Sequence, residues 1–129
     1  MSFNFLLVDD SSIVRKSLKK TLALTDLDIA AVVEASNGEE ALKALRENWI
    51  DLVFLDINMP VMNGVQFMQA LSQSEDLSDT KVLIVSTEGS SERIEELQML
   101  GALGYLRKPF TPEEVVEKVA DLLKGGSNG

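Results

Sequence analysis

The residues best suited to chemistry stand at the ends of apolar runs. Phe5-Leu6-Leu7-Val8 is followed by Asp9-Asp10, Leu52-Val53-Phe54-Leu55 by Asp56, and Val82-Leu83-Ile84-Val85 by Ser86. Lys108 comes just after a shorter stretch, Ala102 to Leu106, and precedes Pro109. Taken singly, each has a plain alternative. Asp56 is a solvated acid opening a loop, Asp9-Asp10 a helix cap, Ser86 a strand-end hydroxyl and Lys108 a surface lysine. Gathered in one place, they suit phosphoryl chemistry. Carboxylates close together raise one another's pKa, and a divalent cation relieves the repulsion. Mg2+ takes one or two carboxylates together with waters and phosphate oxygens, and the backbone carbonyl of Asn58 is a further oxygen donor. A carboxylate that attacks phosphorus becomes an acyl phosphate. The Lys108 ammonium and Ser86 hydroxyl can then hold the phosphoryl oxygens. Positioning and charge neutralisation make up nearly the whole of such a reaction.

The elements that must position these residues follow from the apolar pattern. Four-residue apolar runs read as strands buried on both faces, the kind found inside parallel sheets. Ile29 to Ala35 is a further strand and Ala102 to Leu106 a short last one. Between them lie helical stripes: Ile13, Val14, Leu18 and Leu22; Ala41, Leu42 and Leu45; Val65, Phe67, Met68 and Leu71; Ile94, Leu97 and Leu100; and Val115, Val116, Val119, Leu122 and Leu123. Arg15, Lys16, Lys19 and Lys20 fall largely outside the first stripe and read as a solvated basic face. Asn37 with Glu40, and Thr111-Pro112-Glu113-Glu114, are helix starts of the capping-box kind. Gly101 suits a helix C-terminus. Five strands alternating with five helices imply an α/β fold, a five-stranded parallel sheet with helices on both faces. In such a sheet every strand exit lies on one edge, where ligands bind. The expected organisation is one domain, residues 1–124, and a flexible C-terminal tail, residues 125–129.

Composition narrows the chemistry. The chain has 129 residues, no Cys and no His. Thiolate and imidazole metal sites are therefore excluded, and any metal is a hard cation on oxygen. A net charge of −9 disfavours contact with nucleic acid phosphates. No apolar run approaches membrane-spanning length and no signal-like start is present, so a cytoplasmic protein is expected.

Val8-Asp9-Asp10, Leu55-Asp56 with Met59-Pro60, Gly64, Ser86 and Lys108-Pro109-Phe110, in this order and spacing, resemble the receiver domains of two-component response regulators. Single-domain chemotaxis regulators are the nearest in detail. The resemblance covers residues 4 to about 124. It implies a flavodoxin-like strand order of 2-1-3-4-5, which brings the first and third strands together at the switch point. It implies Asp56 as phosphoacceptor and metal ligand, Asp10 as a direct Mg2+ (or Mn2+) ligand, Asp9 as a ligand mainly through water, and Asn58 through its carbonyl. Lys108, after which the family has a cis proline bond, would pair with the phosphoryl group. Ser86 would move toward that group, and Tyr105 would rotate inward in turn. Asn58 and Glu88 would tune loss of the phosphate, while Thr87 stands where the family often has Ala. Implied partners are a sensor histidine kinase or histidine phosphotransfer protein, docking in part through the first helix. An output protein would bind the face of the fourth helix, fifth strand and fifth helix. The chain would be a phosphoacceptor switch and not a turnover enzyme, either monomeric or forming a phosphorylation-linked dimer. Its length fits a single-domain regulator or a receiver cut from a longer chain.

Other functions fit less well. An Asp-nucleophile phosphohydrolase of the haloacid dehalogenase kind needs two acids with one residue between them after the first strand, and a substrate-covering insertion, whereas Asp9 and Asp10 are adjacent and the candidate nucleophile Asp56 follows the third strand. A flavin carrier needs a hydroxyl- and glycine-rich phosphate loop, where Asp9-Asp10 would repel the phosphate. A receiver fold kept only as a scaffold has no use for the full set Asp9, Asp10, Asp56, Ser86 and Lys108.

Overall fold

The computed structural model describes residues 2–57, 59, 61–87 and 91–125. Among them strands and helices alternate: β1 (Phe3–Val8), α1 (Ser12–Ala23), β2 (Ile29–Ala35), α2 (Gly38–Glu47), β3 (Leu52–Leu55), α3 (Gly64–Gln73), β4 (Val82–Ser86), α4 (Ser91–Met99), β5 (Gly104–Arg107) and α5 (Pro112–Gly125). The strands form one parallel sheet in the order β2-β1-β3-β4-β5. No helix among the described residues is long and apolar enough to cross a membrane.

Side-chain alternation along the central strands builds two cores. Leu6, Val8, Val53, Leu55, Val82 and Ile84 face α2, α3 and α4, meeting Ala41, Phe67, Met68 and Leu97. Phe5, Leu7, Leu52, Phe54, Leu83 and Val85 point the other way, onto Leu18 and Leu22 of α1 and Val115 and Val119 of α5. This explains the unbroken apolar runs, since a strand covered on both faces has no solvent side to make polar. Each fully buried aliphatic or aromatic side chain contributes roughly 1.5–3 kcal/mol, so the sheet interior is the rigid floor from which the site is built.

Local chemistry sets the helix starts. Asn63 and Gln66 exchange side-chain-to-backbone hydrogen bonds of 2.9 Å each at the start of α3. Thr111 and Glu114 do the same for α5, at 3.1 and 2.9 Å. At α2 the Asn37 side chain accepts from the Glu40 N–H at 3.0 Å. The Glu40 carboxylate, however, turns to the N–H and hydroxyl of Ser36, at 2.8 and 2.7 Å, so this box closes one residue earlier than expected. Gly101, at φ +115°, ends α4 as its sequence suggested.

Several expectations need correction. Ile13 is 78% exposed, because it lies five residues from Leu18, well around the helix from the line Val14–Leu18–Leu22 that faces the sheet. β1 starts at Phe3, where its N–H donates to the Asp28 carbonyl. β5 runs from Gly104 to Arg107 and not from Ala102, since the Ala102 N–H is still bonded to the Leu97 carbonyl of the α4 end. α5 continues to Gly125. Residues 126–129 of the expected tail lie outside the described residues.

One glycine is demanded by close approach. The Gly64 N–H donates to the Ile57 carbonyl at 2.9 Å, and a Cβ here would stand 2.9 Å from Ile57 Cα and 3.1 Å from the Asp56 carbonyl oxygen. The start of α3 is thus pressed directly onto the backbone that leaves β3.

Phe54 is 1% exposed and packs edge-on against Phe5 at 5.3 Å between ring centroids. Phe54→Ala is expected to lower the unfolding free energy by about 3–5 kcal/mol, read from the urea midpoint. A loss below about 1 kcal/mol would show that the core can close over the missing ring.

Candidate functional site

The register of the sheet carries the acids together. Val8 pairs with Leu55 across β1 and β3, so the next residues, Asp9 and Asp56, leave the sheet side by side. The ladder continues one step past the strands. The Asp56 N–H donates to the Val8 carbonyl at 2.9 Å, the Asp9 N–H to the Ala35 carbonyl at 3.1 Å, and the Lys108 N–H to the Ser86 carbonyl at 3.0 Å. Backbone bonds therefore fix the Cα positions of Asp9, Asp56 and Lys108 before any side-chain interaction is counted.

Asp9, Asp10 and Asp56 each offer a carboxylate oxygen, and these oxygens all lie within 4.8 Å of one another. Asp9 is buried at 3% exposure, Asp56 is half-buried and Asp10 is exposed. Lys108 closes the group: its Nζ lies 2.9 Å from Asp9 Oδ2, with the lysine side chain 19% exposed. The Lys108-Pro109 bond is cis, as the family resemblance led us to expect. Lys108 is thus no surface lysine. In this structure its partner is Asp9.

Burial pushes the Asp56 carboxyl up to about 6, and the neighbouring charge of Asp9 adds to the rise, with a smaller contribution from Asp10. The Lys108 ammonium and the Ile57 N–H act in the opposite direction without cancelling it. An oxygen-only cluster whose like charge Lys108 relieves only in part fits a hard divalent cation such as Mg2+.

The alternative of Asp9-Asp10 as helix cap is resolved by Ser11. Its hydroxyl accepts the Val14 N–H at 3.2 Å as the α1 N-cap. Asp9 Oδ1 in turn accepts the Ser11 N–H at 2.9 Å. Ser86 is 1% exposed, and its carbonyl also accepts from the Tyr105 hydroxyl at 3.2 Å. Tyr105 therefore lies partly against the core and is tethered to the end of β4. Thr87 is exposed. Asn58 and Glu88 lie outside the described residues.

Two residues were missed. Arg15, expected on a solvated face, is only 15% exposed and binds Glu34 at 2.9 Å; its Nη1 also donates to the Asp9 carbonyl. The signal available was Glu34 itself, an acid inside an otherwise apolar strand and opposite a basic helix.

A doubly wound parallel sheet with an acidic cluster and a lysine at its switch point defines a class of ligand-binding α/β domain. Comparison with known proteins narrows that class: the response regulator receiver domain family matches residues 5–120, and the chain belongs to it. It is 37% identical over 123 residues to a Campylobacter jejuni protein named chemotaxis protein CheY homolog, covering 95% of this chain and 93% of that one. It is 40% identical over 120 residues to transcriptional regulatory protein PrrA of Mycobacterium tuberculosis, covering 92% of this chain but 49% of that one. The crystallised chemotaxis response regulator CheY4 of Vibrio cholerae matches with a TM-score of 0.83 at 34% identity, over 95% of this chain and 100% of that one.

The raised Asp56 pKa has a definite sign. Between the ordinary carboxylate pKa of 3.8 and about 6 the folded state holds a proton that the unfolded state has released, so stability falls as pH rises through this window. In cation-free buffer, Asp56→Asn is expected to melt higher than wild type at pH 8, with the gap closing toward pH 4. Added Mg2+ should narrow the pH 8 gap by stabilising wild type. Equal melting temperatures at pH 8 without cation would show that ionised Asp56 carries no such cost.

Proposed function

We propose that this chain is a phosphorylation switch of two-component signalling, with Asp56 as the phosphoacceptor. The observation that carries this reading is the convergence of the Asp9, Asp10 and Asp56 oxygens within 4.8 Å, with Lys108 against Asp9, at the switch point of a receiver fold. A carboxylate oxygen of Asp56 attacks the phosphorus of a partner's phosphohistidine. The new O–P bond forms as the P–N bond breaks, and the imidazole leaves with the bonding electron pair. Asp10 and Asp56 would hold Mg2+ (or Mn2+) directly, Asp9 mainly through water, and Asn58 through its carbonyl. The ion supplies positive charge that lets a phosphoryl group approach a carboxylate.

The chain's own residues do the rest. Lys108 exchanges its contact with Asp9 for the incoming phosphoryl oxygens, which carry more charge. The Ser86 hydroxyl turns to the same group. Because the Ser86 carbonyl holds both the Lys108 N–H and the Tyr105 hydroxyl, a shift at Ser86 is felt by the start and end of β5. The output face is that of α4, β5 and α5, where Met99 is 88% and Leu103 48% exposed; apolar side chains left in water in this way suit a partner surface. Asn58 and Glu88 tune the lifetime of the phosphoryl group. Near full-length coverage of relatives named for chemotaxis supports an output of that kind. A sensor kinase or phosphotransfer protein would act as donor.

Incubation with a small phosphodonor and Mg2+ is expected to add one phosphate to the intact mass, and Asp56→Asn should abolish it. No adduct on wild type despite Mg2+ binding would leave only a scaffold. Steady release of phosphate from unrelated phosphoesters would instead favour a hydrolase.

Lys108→Ala should still bind Mg2+ and accept phosphate but lose the gain in partner affinity that phosphorylation gives wild type. Partner binding that rises normally in the phosphorylated variant would remove Lys108 from the switch.

A further inference from the structure

The Arg15 guanidinium is gripped on one side and working on the other. Its Nε donates to Glu34 Oε1 at 2.9 Å, and Lys19, one helical turn further along α1, holds Glu34 Oε2 at 3.3 Å. Glu34 stands on β2 paired with Leu7, and the next residue, Ala35, accepts the Asp9 N–H. Arg15 and Lys19 hold the Glu34 carboxyl below its ordinary pKa, the Arg15 hydrogen bond being the largest cause. The remaining arm, Nη1, donates to the Asp9 carbonyl. That carbonyl belongs to the peptide joining Asp9 to Asp10. A peptide is planar, so fixing its oxygen fixes the direction in which the Asp10 Cα leaves, and with it the reach of the Asp10 carboxylate.

We infer that Arg15 is a positioning residue for the divalent cation: held by Glu34, it clamps the Asp9-Asp10 peptide so that both carboxylates converge, without touching the ion. This rests on reading Asp9, Asp10 and Asp56 as the cation site. Two effects of Arg15 oppose one another. Its charge repels a cation, while its hydrogen bond orders the ligands. The Glu34 carboxylate at 2.9 Å offsets most of the guanidinium's field at a distance, leaving ordering as the larger effect. Partners that orient metal ligands commonly change affinity tenfold or more. A planar fork bonded at two of its nitrogens is also not replaced by an ammonium.

The test is Mn2+ binding to the full chain, read from the loss of the free-ion electron paramagnetic resonance signal, with melting temperature followed in parallel. Arg15→Ala is expected to weaken binding about tenfold, although it removes a like charge. Arg15→Lys should fail to restore it, and Glu34→Gln should weaken it in the same direction. The double variant should bind no worse than Arg15→Ala alone, the signature of two residues acting as one unit. Lys19→Ala, which loses a Glu34 contact but nothing at Asp9, should bind like wild type. Unchanged or tighter binding in a folded Arg15→Ala, or wild-type binding in Arg15→Lys, would overturn the clamp while leaving the cation site intact. If Arg15→Ala fails to fold, Glu34→Gln with wild-type affinity would overturn it equally. A wild-type chain that bound no Mn2+ would sink the site reading together with this one.

Discussion

Three carboxylates are held at one point of this molecule against their own repulsion. Two unit charges about 4 Å apart oppose one another by on the order of 4 kcal/mol at the effective dielectric of a protein surface. A whole domain is stable by only about 5–15 kcal/mol. Such a cluster would spring apart if it depended on side chains alone. What holds Asp9 and Asp56 together is the backbone, through the Val8–Leu55 register and the bonds that continue it past the strand ends. That backbone is held in turn by two apolar cores, one on each face of the sheet. Hydrophobic burial, summed over the sheet, is the only contribution large enough to bear the electrostatic cost.

The cost is then shared rather than removed. Lys108 answers Asp9, and the Asp56 carboxyl rises to about 6, so near neutral pH it is ionised but readily protonated. A site left in this condition responds strongly to any added charge. With Asp56 as phosphoacceptor, a cation would relieve it, and a phosphoryl group, carrying about −1.5 to −2 charges near neutral pH, would draw Lys108 away from Asp9. On the proposed reading, switching is a redistribution of a few charged contacts across strand ends that the sheet keeps rigid. The Ser86 carbonyl, shared by Lys108 and Tyr105, is where that redistribution meets the α4–β5 side.

Much of this was legible in the sequence because burial leaves an unambiguous trace. β2 and β3 came out at their observed bounds, and Asp9, Asp10, Asp56, Ser86 and Lys108 at the strand exits as expected. The strand order was not readable from periodicity, which says what is buried but not beside which neighbour; it came from the family resemblance and is the observed one. Ile13 misled because a single apolar residue in a first turn fits more than one helical stripe. Arg15 misled for a deeper reason. Charge patterning reports that a helix face is basic, but not that one of its guanidinium groups reaches both a carboxylate on β2 and the Asp9 backbone carbonyl in the loop ahead of its own helix.

The hydrogen bonds of Asp9 bear on how the acids divide their work. Its Oδ1 accepts the Ser11 N–H and its Oδ2 the Lys108 ammonium, and it is nearly sealed from solvent. Asp10 and Asp56 are the more accessible pair. On the proposed reading a cation entering from solvent would meet those two first, and Mg2+, which gives up its waters reluctantly, would keep one between itself and Asp9. Asp9 would then serve as the electrostatic link between ion and lysine, balancing Lys108 from one side and the cation from the other. Replacing it by an amide would leave Lys108 and the cation facing each other across a neutral side chain. With a cation held there, the buried acid, and not the two accessible ones, would be the member of the cluster that lets two positive charges share so small a space.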